Sequence, residues 1–190
     1  DDLVGEVRAV AQKGERVLVL GGSGAVGSFA VQLAARHGAE VTAACSGAKA
    51  EFVAGLGAHR TVDYRTTSLA QMGDPFDLII DIGGNRSVGR LRSALRPEGR
   101  LVIVGGEGGG PMLGGIQRNF WASIANRFTR RELGWFFSRT TSQGCAQLAE
   151  EISTRTIVPS IDRIVALAEA SRALTAMQRG ELRGQAVICP

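Results

Sequence analysis

Three glycines carry the clearest chemical signal in this chain. Gly22, Gly24 and Gly27 stand in G-x-G-x-x-G spacing within Arg16-Val-Leu-Val-Leu-Gly-Gly-Ser-Gly-Ala-Val-Gly27, and Gly21 adds a second frame, G-x-x-G-x-x-G. An apolar run, Val17 to Leu20, ends at these glycines, and a helix-compatible segment, Ala25 to Arg36, begins after them. In such a strand–turn–helix, the first glycine permits a sharp turn. The second lets backbone approach a pyrophosphate, and the third lets helix and strand pack closely. Free N–H groups and the positive end of the helix dipole then face the phosphates. The other reading is a tight turn that holds no ligand. The context, after a strand and opening a helix, favours a dinucleotide.

The next strand, Glu40 to Ala44, ends where many dinucleotide folds place an acidic residue on the ribose 2′-OH. This chain has Cys45-Ser46-Gly47-Ala48-Lys49 there, without a carboxylate. Ser46 offers a hydrogen bond and Lys49 a positive charge, both suited to a 2′-phosphate that a carboxylate would repel. The residues therefore favour NADP(H) over NAD(H). A polar loop with a solvated lysine is the competing reading.

The elements that must position these residues follow in order. Leu3, Val7 and Val10 recur at helical spacing, which predicts a helix over residues 1–12. In the helix from Ala25, residues Phe29, Leu33 and Ala34 are expected to face the sheet, and Ser28, Gln32 and Arg36 to face water. Gly38 reads as a left-handed cap. A second helix covers Ala48 to Leu56, and a short strand covers Arg60 to Asp63. Phe76 to Ile82 is almost continuously apolar, as in a strand covered on both faces. A helix from Ser87 to Leu95 is expected to stop at Pro97 and Gly99, before a strand from Arg100 to Val104. The glycine-rich stretch 105–115 reads as a mobile lid or as a linker. Beyond it lie a helix over 117–127, an apolar segment at Leu133 to Phe137 and a helix over 143–154. A strand at 161–165, a helix over 167–179 and a strand at 185–189 close the chain. This alternation predicts a Rossmann-type doubly wound parallel sheet of about six strands, with helices on both faces.

Composition narrows the function classes. An apolar fraction of 44% and a charged fraction of 21% are ordinary for a soluble globular protein. No apolar run approaches the ~20 residues of a membrane helix, and the acidic start lacks the order of a signal peptide. A cytoplasmic location and no membrane partner are expected. Basic and aromatic residues mix between Arg118 and Arg139, but the aromatics cluster as in a buried face, so no nucleic acid is expected. Cys45, Cys145 and Cys189 form no C-x-x-C pair, and His37 and His59 read as structural or surface residues. No metal site is expected.

Taken together, Gly14 to Ala34, Leu56-Gly-Ala-His-Arg-Thr-Val-Asp-Tyr64, Phe76-Asp-Leu-Ile-Ile-Asp81 and Arg179-Gly-Glu-Leu-Arg-Gly-Gln-Ala-Val-Ile188 resemble the cofactor-binding domain of medium-chain dehydrogenase/reductases, in the zinc-independent quinone oxidoreductase-like branch. The resemblance runs from about residue 13 to the C-terminus. It implies hydride transfer from NADPH to a quinone, enone or carbonyl compound. Carried over residue by residue, it places the pyrophosphate on Gly24, Ala25, Val26 and Gly27, and the 2′-phosphate on Ser46, Lys49 and Tyr64. Ile82, Gly83 and Gly84, with Val104, Gly105 and Gly106, would line the path to the nicotinamide.

Members of that family carry a catalytic GroES-like domain mostly ahead of this region, so the chain is expected to be the cofactor-binding half. On this reading residues 1–158 are the NAD(P)-binding domain, and 159–190 form a strand–helix–strand tail that in relatives packs on the other domain. The tail's apolar edges then require another partner or repacking. The strand near Leu133–Phe137 resembles the edge through which relatives form homodimers. No residue here is a convincing acid–base catalyst, and none is named. The small-molecule substrate would be met by the full protein.

The main alternative is a non-catalytic NADP-binding sensor or interaction module. A short-chain dehydrogenase is disfavoured, since the residue four beyond Tyr64 is Ser68 rather than lysine. A methyltransferase would want the acidic residue that is absent after the second strand. A zinc alcohol dehydrogenase stays open, because its zinc ligands would lie mainly in the other half.

Overall fold

Alternate residues of the first strand feed two different apolar cores. In the computed structural model, which describes residues 11–83, 86–104, 133–136 and 142–190, β1 covers Arg16–Leu20. Val17 and Val19 enter one cluster with Val31, Leu33, Val41, Leu78 and Ile80. Leu18 and Leu20 enter the other with Phe76, Ile79, Leu91 and Leu101. Successive side chains of a strand point to opposite faces, so a strand covered on both sides must be apolar throughout. Each such buried side chain is worth about 1.5–3 kcal/mol relative to exposure.

The sheet has six parallel strands in the order β3-β2-β1-β4-β5-β6. β2 is Glu40–Cys45, β3 Arg60–Asp63, β4 Phe76–Asp81, β5 Leu95–Val104 and β6 Leu133–Phe136. The helices are α1 (Ala25–Arg36), α2 (Ala50–Gly55, preceded by a 3-10 turn at Gly47–Lys49) and α3 (Val88–Ser93). They are followed by α4 (Ser142–Ser153) and α5 (Ala170–Gln178, preceded by a 3-10 turn at Leu167–Glu169). This is the doubly wound Rossmann-like fold that the alternation predicts. The order reverses between β1 and β4, and such a switch point is where these sheets take ligands. A second, two-stranded parallel sheet pairs β7 (Ile161–Ala166) with β8 (Gln185–Cys189) across α5.

Several expectations need correction. Of the expected helix over 1–12, residues 1–10 lie outside the described residues; Ala11 and Gln12 are not helical, and Ala11 is buried in the core. Ser28 and Gln32 do not face water: both are buried. The segment that follows α4 lies over that side of α1. Gln32 Nε2 donates to Val158 O at 3.0 Å, Gln32 Oε1 accepts the Val158 N–H at 2.9 Å, and Ile157 is fully buried beside them. Pro97 and Gly99 do not stop α3, which ends at Ser93. They lie in β5, where pairing jumps from Phe76–Leu95 to Leu78–Arg100. A bulge is the place within a strand that tolerates proline. The glycine-rich stretch 105–115, the helix over 117–127 and most of the basic–aromatic region lie outside the described residues.

Ion pairs gather at the opposite end of the strands from the glycines. Arg100 Nη2 reaches both carboxylate oxygens of Glu15, at 2.5 and 2.6 Å. Asp77 accepts from the Arg16 N–H at 2.9 Å and from Arg96 at 2.7 Å.

Candidate cofactor site

Two carbonyls tie the loop to its neighbours. Ala44 O, at the end of β2, accepts the N–H groups of Gly21 and Gly22 at 3.2 and 3.1 Å. Leu20 O, at the end of β1, accepts those of Ile82 and Gly83 at 3.0 and 3.2 Å. The C-terminal ends of β2, β1 and β4 thus form one rim, with the loop seated between them.

Each glycine has its own reason to be there. Gly21 turns the chain, with φ +90°, so the sharp turn expected of Gly22 belongs one residue earlier. The G-x-x-G-x-x-G frame was the sequence signal for it. A side chain on Gly22 would press on Ala43 and Val31, at 3.1 and 3.3 Å. Gly24 caps α1, and its own N–H turns back to Gly21 O at 3.1 Å. The N–H groups of Ala25, Val26 and Gly27 follow; in the first turn of a helix these have no intrahelical acceptor. A Cβ on Gly27 would lie 2.1 Å from Gly21 O, so only glycine lets α1 start this close to β1. The result is a cradle of backbone donors at a helix N-terminus, which fits a pyrophosphate.

The residues after β2 sit on the neighbouring edge. Ser46 is buried, and its carbonyl accepts the Lys49 N–H at 2.8 Å. Lys49 is not a solvated lysine. Its side chain is buried, and Nζ donates to Leu182 O. Burial pushes the Lys49 ammonium below its ordinary value; Asp162 and Cys45 pull it back up, while Arg183 and Arg65 push it further down. Tyr64 is 47% exposed on the rim, with the Arg65 guanidinium 5.7 Å from its ring centroid.

Asp63 is the residue that sequence reasoning missed. It ends β3 and pairs in register with Cys45. Its carboxylate accepts the Gly47 N–H at 2.9 Å and the Arg65 N–H at 2.9 Å, so it shapes the turn after β2 from the next strand. Asp-Tyr-Arg after a short strand was its only local signal. Beside it, burial raises the Cys45 thiol, Asp63 raises it further and Lys49 lowers it.

Ile82 and Gly83 leave β4 next to Gly21, and Ile82 and Val104 pack partly buried against the α1-side core. Gly84, Gly105 and Gly106 lie outside the described residues. A segment from the far end of the chain also reaches the loop: Gly184 N–H donates to Ser23 O at 2.8 Å, in a parallel bridge between Gly24 and Gly184.

No group of three or more His, Cys, Asp or Glu that could hold a metal occurs among the described residues. Nor is any helix among them long and apolar enough to cross a membrane.

Comparisons with known proteins agree with this fold. A family model described as zinc-binding dehydrogenase matches residues 56–188. The mitochondrial NAD(P)H oxidoreductase RTN4IP1 of Bos taurus is 30% identical over 196 residues, covering 92% of this chain and 48% of that protein. The 2-methylene-furan-3-one reductase of Solanum lycopersicum is 36% identical over 102 residues, covering 51% of this chain and 25% of its own length. Among solved structures, the quinone oxidoreductase from Coxiella burnetii superposes with a TM-score of 0.81 at 25% identity, covering 98% of this chain and 55% of that one. The chain thus spans about half the length of the bovine relative.

Proposed function

The chain belongs to the zinc-binding dehydrogenase family, and we propose that it is the NADPH-binding domain of an oxidoreductase that reduces a quinone, enone or carbonyl compound. The observation that carries this reading is the Gly27–Gly21 approach, which opens the first turn of α1 at the switch point of the sheet. The described residues do not fit the zinc in the family's description, so no step is assigned to a metal.

When bound, the reduced nicotinamide supplies a hydride from C4. The chain's own residues bind and orient. The N–H groups of Ala25, Val26 and Gly27 hold the pyrophosphate, with Gly24 shaping the approach. Ser46, Lys49 and Tyr64 take the adenosine 2′-phosphate end, and Ile82, Gly83 and Val104 guide the nicotinamide along the rim. Buried Lys49 supports NADPH over NADH, because a cation in a low-dielectric site attracts a phosphate more strongly than an exposed one does.

The reading extends to the whole protein. Residues 1–158 form the cofactor domain and 159–190 the strand–helix–strand tail. The substrate is met together with a further domain, the protein dimerises through β6, and its location is cytoplasmic. The mitochondrial placement in the bovine relative's name is that protein's own. The test is fluorescence titration of the chain with NADPH and with NADH. Saturable binding that favours NADPH supports the reading, and binding of neither by the folded chain overturns it.

A further inference from the structure

Residues 182–184 form a strap across the cofactor site. Lys49 Nζ donates to Leu182 O on the β2 side, and Gly184 N–H donates to Ser23 O in the glycine loop. Between them, Arg183 N–H donates to Asp162 Oδ1 at 3.1 Å. Just beyond, Gln185 N–H donates to Ser160 O at 2.9 Å. Leu182 and Gly184 are buried, and Arg183 is exposed. The two halves of the site, phosphate loop and lysine, lie on different elements, and this strap bonds to both.

Gly184 sets the path of the strap. Its φ of +82° is one that side-chain-bearing residues rarely adopt, and a Cβ there would lie 2.1 Å from Ser160 O. Any larger residue must shift the strap, and with it the carbonyl that holds Lys49. An ammonium has three donors. One is engaged by Leu182 O, which fixes the direction of the others. An exposed lysine would lose side-chain entropy on meeting a phosphate, whereas this one is already ordered.

We propose that the Leu182–Gly184 strap makes the site selective for a 2′-phosphorylated dinucleotide, with Gly184 as the positioning residue that acts through Leu182 O on Lys49. This rests on the reading of the chain as a nicotinamide-dinucleotide-binding domain. The strap orders the cation that meets the phosphate monoester, so discrimination between NADPH and NADH depends on Leu182–Gly184. By linkage, the 2′-phosphate in turn stabilises the strap.

The test is a double-mutant cycle read by calorimetry, with NADPH and NADH titrated into wild type, Gly184→Ala, Lys49→Met and the double variant. Gly184→Ala is expected to weaken NADPH about tenfold more than NADH, because both cofactors share the Ser23 loop and only NADPH also loses the charge-assisted contact of Lys49. The double variant is expected to lose no more of the NADPH-over-NADH preference than Lys49→Met alone, because the glycine acts on that preference through the lysine. A purely structural role would weaken both cofactors alike. Hydrogen exchange of the wild-type chain gives a readout independent of whether Gly184→Ala folds: the Gly184 amide should slow more with saturating NADPH than with NADH. Equal slowing, additive losses or equal weakening of both cofactors overturns the strap's role. With NADPH still preferred, those results leave the functional reading standing. Wild type that binds neither cofactor overturns both.

Discussion

Gln32 holds the backbone of Val158 at both ends of its side-chain amide, with Nε2 donating to the carbonyl at 3.0 Å and Oε1 accepting the N–H at 2.9 Å. The two residues lie 126 positions apart. This pair is where the segment leading to β7 is fastened to the helix that carries the cofactor loop. Gln32→Ala leaves two backbone groups of Val158 without these partners, and should lower stability by about 1–3 kcal/mol. Urea unfolding measures it, and an unchanged midpoint would show the pair to be incidental.

That pair also shows what the sequence could and could not reveal. β1, α1 and β4 were legible because their apolar residues follow the strand or helix period, and because Gly38 closes α1 at φ +77°. Ser28 and Gln32 looked like an exposed face because a local pattern cannot see Ile157 and Val158 arriving from far along the chain. The charge of Lys49 was legible, but its burial was not, since its partner Leu182 lies 133 residues away. Asp63 was not legible as part of the site because its carboxylate shapes the turn after β2 from the neighbouring strand, β3.

Asp162 gives the tail a pH dependence. Burial works to raise its carboxyl, but the bonds from Arg163 at 2.7 Å and from the Arg183 N–H, with the charges of both arginines, hold it below the ordinary aspartate value. A carboxylate whose pKa is depressed by folding contributes stability that is present above its unfolded pKa and lost as pH falls through its folded one. Asp162→Ala should therefore be less stable than wild type by the same margin at pH 7 and pH 5, both about a unit or more above the ordinary carboxylate value. The gap should close only under strongly acidic conditions. Urea midpoints across that range check it, and a gap that grows on acidification contradicts the sign.

The core side of β1 gives a plain stability prediction. Leu18 is fully buried between Phe76, Ile79 and the α3 side of the sheet. Leu18→Ala should cost about 2–5 kcal/mol, combining lost transfer energy with the cavity left behind. A loss under about 1 kcal/mol in chemical denaturation would mean that this core is not packed as described.

β6 ends the sheet order and has β5 as its neighbour. An edge strand with no further partner strand among the described residues offers its outer backbone groups to a second copy. Light scattering over a dilution series should find a dimer that dissociates on dilution. A monomer at every concentration removes the proposed edge pairing.

The central claim is that the cradle beside Gly21 holds a dinucleotide phosphate, and calorimetric titration of wild type and Gly27→Ala with NADPH tests it most directly. The added methyl must displace backbone that would otherwise lie 2.1 Å away, at a stability cost of about 1–3 kcal/mol, so each protein is first confirmed folded by circular dichroism. NADPH is expected to bind wild type on the order of micromolar, and folded Gly27→Ala at least tenfold more weakly. Equal affinities in the two folded proteins, or no heat from wild type with NADPH or NADH, would contradict it.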